Sequence, residues 1–142
     1  MNNQNENIFN FEKLIVYQKA LDFIDITYTL TDKFSKYEQY NLTDQFRRAA
    51  TSIALNIGEG SGGTDKEFNN FLRISKRSLK ECVVFITIAL RRNYISEKGE
   101  KEMRLKLVEI AKMNSGLSRS IKTKSTTSAQ LHSPFSSLPN PN

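Results

Sequence analysis

With 142 residues, the chain is long enough for one domain with its own core and too short for several. Its single cysteine, Cys82, excludes an intramolecular disulfide and points to a reducing compartment. No apolar run approaches the roughly 20 residues that cross a bilayer, and the first seven residues carry no basic-then-apolar leader pattern. The expectation is a cytoplasmic protein without membrane contact, whose formal net charge of +6 favours acidic partners, nucleic acid first.

Residues 1–9 are polar and read as a flexible N-terminus. Asn10 can cap a first helix with apolar positions Leu14, Tyr17, Leu21, Ile24 and Tyr28, spaced three, four, three, four. Phe11 and Ile15 widen that face. The pattern fades near residues 31–34, and 35–41 read as a connection, with Asn41 or Thr43 opening the next helix.

Residues 45–60, QFRRAATSIALNIGEG, carry three stripes if helical. Phe46, Ala49, Ile53, Ile57 and Gly60 continue an apolar face begun at Leu42. Ala50, Ala54 and Gly58 recur every four residues and present almost no side chain, so another backbone can come close. Arg48, Ser52, Asn56 and Glu59 form a polar strip that either bonds across a helix contact or meets water. With Arg47, these small and polar positions are the expected helix-packing and oligomer contacts. The element looks built for assembly.

Gly58, Gly60 and Gly63 satisfy G-x-G-x-x-G, but a helix stands where the dinucleotide fingerprint needs a strand, and no Lys-Ser/Thr follows. The glycines therefore read as a helix end and a tight turn. Thr64 and Glu67 form a capping box for a third helix with Phe68, Phe71, Leu72, Ser75, Leu79, Cys82, Val83, Ile86 and Leu90 inward. It ends at Arg91-Arg92-Asn93. Ser96 can cap a fourth helix whose face carries Met103, Leu107, Ile110, Ala111, Leu117 and Ile121. Residues 123–142 are rich in Ser, Thr, Pro and Asn and read as a disordered tail.

This is an all-α pattern, and the short links at 60–64 and 93–96 favour an up-down-up-down four-helix bundle over residues 10–122. Val84, Phe85 and Ile88 lie partly off the main stripe of the third helix. Together with the small-residue strip they leave more apolar surface than one core needs, which implies a symmetric homo-oligomer.

A resemblance joins these elements. Residues 11–20, FEKLIVYQKA, are similar to the opening signature of the four-helix-bundle proteins encoded in 23S ribosomal RNA intervening sequences. Residues 45–60 resemble that family's central pattern, Gln-x-Arg-Arg-Ala-Ala-x-Ser-Ile-x-x-Asn-Ile-Ala-Glu-Gly, with Gly58 in place of its usual alanine, a change that can end the helix early. Lys66-Glu67-Phe68 and residues 78–81 look like its third-helix marks, so the likeness covers about residues 9–122. The resemblance implies a bundle assembling as a ring-like homopentamer, with RNA or ribosome association. A related family, the accessory variability determinant of diversity-generating retroelements, is also a basic pentameric bundle, and works with a reverse transcriptase and its RNA.

Arg73, Lys76, Arg77 and Lys80 follow i, i+3, i+4, i+7 and lie on one face of the third helix, with Arg91 and Arg92 at its end. They are the candidate phosphate-binding strip, multiplied in a ring; the alternative is a solvated face, with Arg91 and Arg92 serving the helix dipole. No aromatic residues interleave with the strip, so readout would be of backbone and shape. For Arg47 and Arg48 the expectation is pairing between helices or subunits, since Glu59 lies on the same strip as Arg48.

Catalysis finds no footing. The sole histidine, His132, lies in the tail, so no histidine-centred base, triad or metal site can be assembled. Cys82 reads as a small buried hydrophobe. Glu59, Glu67 and Glu81 could meet as carboxylates, but the Glu-x-x-His pairs of di-iron bundles are absent, and neither metal nor cofactor is expected. The sequence thus points to a non-enzymatic homo-oligomer that binds RNA or a ribonucleoprotein. The alternative is a structural or protein-interaction scaffold that binds no nucleic acid.

Overall fold

A computed structural model describes the backbone of residues 9–132 and the side chains of residues 9–121. The described residues form four α-helices and no strand: α1 (Ile15–Thr31), α2 (Leu42–Gly60), α3 (Asp65–Arg91) and α4 (Glu97–His132). Each helix packs on the next, α2 on α3 most extensively, and α4 also contacts α1. That circuit fits a four-helix bundle.

The α2 face follows its sequence pattern: Leu42, Phe46, Ala49, Ile53, Ile57 and Gly60 are all buried. On α3, Leu72, Ser75, Leu79, Cys82 and Ile86 are buried, and on α4 Met103, Leu107 and Ile110. Several caps form as the sequence predicts. Thr64 Oγ1 accepts from the Glu67 N–H at 3.2 Å while Glu67 Oε2 accepts from the Thr64 N–H at 3.4 Å, a complete capping box. Ser96 Oγ accepts from the Gly99 N–H at 3.0 Å.

The end of α3 is tighter than its cations alone would make it. Asn93 adopts φ 61°, the left-handed region that asparagine tolerates. The Tyr94 N–H then donates to the Ala89 carbonyl at 2.9 Å and the Asn93 N–H to the Leu90 carbonyl at 3.0 Å, a Schellman motif. Tyr94 stacks on Phe34, with ring centroids 5.0 Å apart, and its hydroxyl donates to Glu38 at 3.3 Å. The second Glu38 oxygen accepts from the Leu42 N–H at 3.3 Å. One carboxylate thereby ties the link after α3 to the start of α2, where Asn41 supplies no side-chain cap.

The first helix differs from its sequence reading. Asn10 opens only a 3-10 turn (Asn10–Lys13); Leu14 is extended, and the α-helix starts at Ile15. The stripe Leu14, Tyr17, Leu21 and Ile24 is half-buried and Tyr28 is exposed, whereas Val16, Ala20, Phe23, Thr27 and Thr31 are buried. The two faces are one residue apart, a rotation of about 100°. Threonine can occupy the inner face because its hydroxyl finds a partner in its own helix. Thr27 donates to the Phe23 carbonyl at 2.8 Å and Thr31 to the Thr27 carbonyl at 2.7 Å.

Two boundaries also move. Gly58 does not end α2 early: the helix runs to Gly60, and the ring of Phe11 covers Gly58. The last helix continues past the expected limit at residue 122 to His132. Residues 123–132 include lysine, alanine, glutamine and leucine, all good helix formers, and the first proline is Pro134. The rest of the expected tail, 133–142, and residues 1–8 of the expected flexible N-terminus lie outside the described residues.

Gly60 is held by close approach. A Cβ at this position would lie 2.7 Å from both Phe68 Cδ2 and Phe71 Cβ, and the latter is fixed to the α3 backbone. Gly60→Ala is therefore expected to destabilise the fold by about 1–3 kcal/mol, as overpacking does, measured as a lower urea midpoint at unchanged slope.

Candidate nucleic-acid interface

The inner face of α3 dictates where its cations go. With Leu72, Ser75, Leu79, Cys82 and Ile86 turned to the core, Arg73, Lys76, Arg77 and Lys80 are left exposed. The capping box fixes the start of that helix and the Schellman turn its end, where Arg91 and Arg92 are also exposed. Among the described residues, none of these six cations has a carboxylate within ion-pair distance. Arg73 is oriented by Asn70, whose Oδ1 accepts from its guanidinium at 3.1 Å.

The four central cations share an exposed face but fan out from it. Arg73 and Lys76 border a polar groove between α3 and α4. Lys76 and Lys80 also flank an apolar furrow that includes Leu79, Val83, Leu107 and Val108. Arg77 stands on the opposite flank, over a groove between α2 and α3 that it shares with Arg48, Ser52, Ser78 and Glu81. The spacing of the cations gave their common side but not this divergence, because the neighbours of an exposed residue lie on other helices.

The arginines of α2 sit in different surroundings. Arg47 donates to Thr31 Oγ1 at 2.8 Å and to Asp32 Oδ1 at 2.7 Å, and its guanidinium lies 4.4 Å from the centre of the Tyr28 ring. It joins α2 to the end of α1. Within its own helix Arg48 pairs with Asp44 one turn earlier at 3.1 Å, and Glu59 is exposed.

The other strip residues meet α3 or α1. Asn56 Nδ2 donates to the Ser52 carbonyl at 2.7 Å and to Ser52 Oγ at 2.9 Å, and the Ser78 hydroxyl donates to Ser52 Oγ at 2.8 Å. Ala50 and Ala54 are buried, while Gly58 is half-buried under Phe11. Ala54, Leu55 and Gly58 line an apolar groove of about 450 Å³ with Phe11, Tyr17 and Leu21. Leu55, unremarked in the sequence pattern, is 54% exposed there.

Among the described residues no group of three His, Cys, Asp or Glu side chains comes together, and no helix is long and apolar enough to cross a membrane. Cys82 is fully buried. Burial first, and the Glu81 charge second, push its thiol up from 9.0 to about 12. A thiol so raised keeps its proton, and the stability this reflects is complete below pH 9.0 and is lost as pH rises towards 12. Iodoacetamide at pH 8 should label native Cys82 at the rate of global unfolding, with fast labelling in denaturant. Cys82→Ala should show a shallower loss of stability between pH 9 and 12 than the parent chain.

A search of curated proteins finds no match to this chain. The family model of the 23S rRNA-intervening sequence protein matches residues 12–116, a span that takes in α1, α2, α3 and the core-bearing part of α4. With four helices in place and the match running through the QFRRAATSIALNIGEG segment, the chain belongs to the 23S rRNA-intervening sequence protein family.

Proposed function

We propose that this chain is a non-enzymatic, cytoplasmic homo-oligomer, an up-down-up-down bundle arranged as a ring of five. In this reading it binds RNA or a ribonucleoprotein through a basic surface made by α3. The observation that carries it is the gathering of exposed, unpaired cations on one helix. Arg47, Arg48 and Arg104 each have a carboxylate partner, whereas Arg73, Lys76, Arg77, Lys80, Arg91 and Arg92 are exposed with none among the described residues. A phosphate backbone supplies the missing anions, and a ring repeats the strip in every subunit.

The oligomeric part has separate support. Ile15, Leu55, Val84 and Leu105 are 66%, 54%, 56% and 69% exposed in the single chain. The half-buried stripe of α1 borders the groove beside Leu55. Leu55 with the apolar lining of this groove, and the other exposed apolar side chains, favour contact with a second copy. The same surface supports the scaffold reading, in which the oligomer docks a protein and the cations are only solvated.

Binding of a labelled RNA by the purified protein at 50 and 200 mM salt, with mass by light scattering in both buffers, separates these readings. A stable oligomer whose RNA affinity falls steeply with salt is the expected result. Changing Arg73, Lys76, Arg77 and Lys80 together to Gln should abolish binding at unchanged mass. An oligomer that ignores RNA at low salt favours the scaffold, and a monomer overturns the assembly.

A further inference from the structure

The groove between the first half of α3 and α4 has a volume of about 500 Å³, within the range of small-molecule sites. Lys66, Arg73 and Lys76 line it from α3 and Arg119 from α4, and no acidic side chain lines it. Four cations around one concavity, with no counter-charge in its lining, fit an anion.

Apart from Leu72, the remainder of the lining is amide and hydroxyl, and one amide is incompletely bonded. Asn114 is 3% exposed, and its Nδ2 donates to the Leu72 carbonyl at 3.2 Å. That contact fixes the orientation of the carboxamide, since a carbonyl can only accept. Asn114 Oδ1 is then buried with no hydrogen-bond partner among the described residues. A buried acceptor left unpaired is unfavourable, so the position calls for an N–H or O–H donor. Nearby, Ser118 donates to Asn69 Oδ1 at 2.7 Å. The groove therefore has a cationic rim, and Asn114 in its wall holds a buried, unpaired acceptor.

We propose that this groove is a nucleotide site. The phosphate lies among Lys66, Arg73, Lys76 and Arg119, and as the wall opens at the buried Asn114 an N–H or O–H of the base or sugar donates to its Oδ1. The nucleotide could be one unit of an RNA strand or a free mononucleotide; the first deepens the RNA reading and rests on it, whereas the second stands without it. Arg119 and Asn114 lie on α4, so they can be altered without changing the four cations of the α3 strip.

The test is calorimetric titration of the full chain with each of the four nucleoside 5′-monophosphates in turn, and with inorganic phosphate. Arg119→Gln and Asn114→Leu are compared with the parent, alongside RNA binding, melting temperature and oligomer mass. Asn114→Leu removes the unpaired acceptor, so a purely structural asparagine predicts unchanged nucleotide binding. The expected result is at least one nucleotide binding tenfold tighter than phosphate, and a tenfold or greater loss in both variants at unchanged mass. If Asn114→Leu fails to fold, Arg119→Gln decides alone. No nucleotide binding tighter than phosphate, or variants that bind as the parent does, overturns the site. RNA binding that survives in that case leaves the basic-surface reading standing. Nucleotide binding without RNA binding supports a site for free nucleotides and removes the RNA reading.

Discussion

Ser75 is fully buried, and its hydroxyl donates to the Ile53 carbonyl of α2 at 3.1 Å. A short side chain on one helix can reach the backbone of another only where the two pack closely. Gly60 permits the same approach at the far end of α2, where a Cβ would collide with Phe68 and Phe71. Ser52, Asn56 and Ser78 add polar bonds along this seam, so closeness and hydrogen bonding hold one register together. The remaining helices depend on it. Once Ser75 and Ser78 face α2, the 3.6-residue period sends Leu72, Leu79 and Ile86 inward and Arg73, Lys76, Arg77 and Lys80 outward. The candidate interface is thus the outer side of the helix whose inner side makes the seam, with Arg77 at the seam's edge.

That reverse side carries an electrostatic tension of its own. Arg73 and Arg77, and Lys76 and Lys80, are like-charge pairs four residues apart; Arg73 and Lys76, and Arg77 and Lys80, are three apart. Such pairs destabilise a helix by about 0.2–0.5 kcal/mol each, and the neighbouring Glu81 does not reach any of them. Elsewhere the same chain places carboxylates within reach of its arginines, as at Arg47 with Asp32 and Arg104 with Glu100. Exposed pairs of that kind are worth little in stability, so their absence from α3 costs the fold almost nothing. Their absence matters instead for the local field, which stays positive and open to a multivalent anion.

The legible parts of the fold were those where one residue pattern had one physical outcome. The faces of α2 and α3 followed from period alone, and Thr64 with Glu67 specified a helix start that no other arrangement of those residues would satisfy so completely. On α1 two patterns competed. The larger residues Tyr17, Leu21 and Ile24 gave the stronger apolar stripe, yet the core took Ala20, Phe23 and Thr27. Threonine hydroxyls bonded to their own helix are apolar enough to bury, a fact invisible to a pattern that ranks side chains by hydrophobicity. Individual cations were legible as exposed, but the groove between α3 and α4 was not. Arg119 and Asn114 stand more than 30 residues along the chain from any of its α3 members, and only packing brings them together.

The displaced stripe of α1 has a physical consequence. Its half-buried Tyr17, Leu21 and Ile24 would be better buried on the core side, were the monomer the only state in which this helix had to be stable. They lie instead along a groove with Leu55 and with Ala54 and Gly58 of the small-residue strip, whose side chains leave room for another surface. Phe11 reaches over Gly58 and closes part of that groove from the 3-10 turn. Burying the open remainder gains about 25 cal/mol for each Å² of apolar area removed from water, and several such side chains together exceed what any single surface ion pair supplies. A second copy seated there would use the larger apolar face of α1 while the smaller one, with Thr27 and Thr31, stays in the bundle. One helix would thereby serve two interfaces, each matched to the size of its side chains.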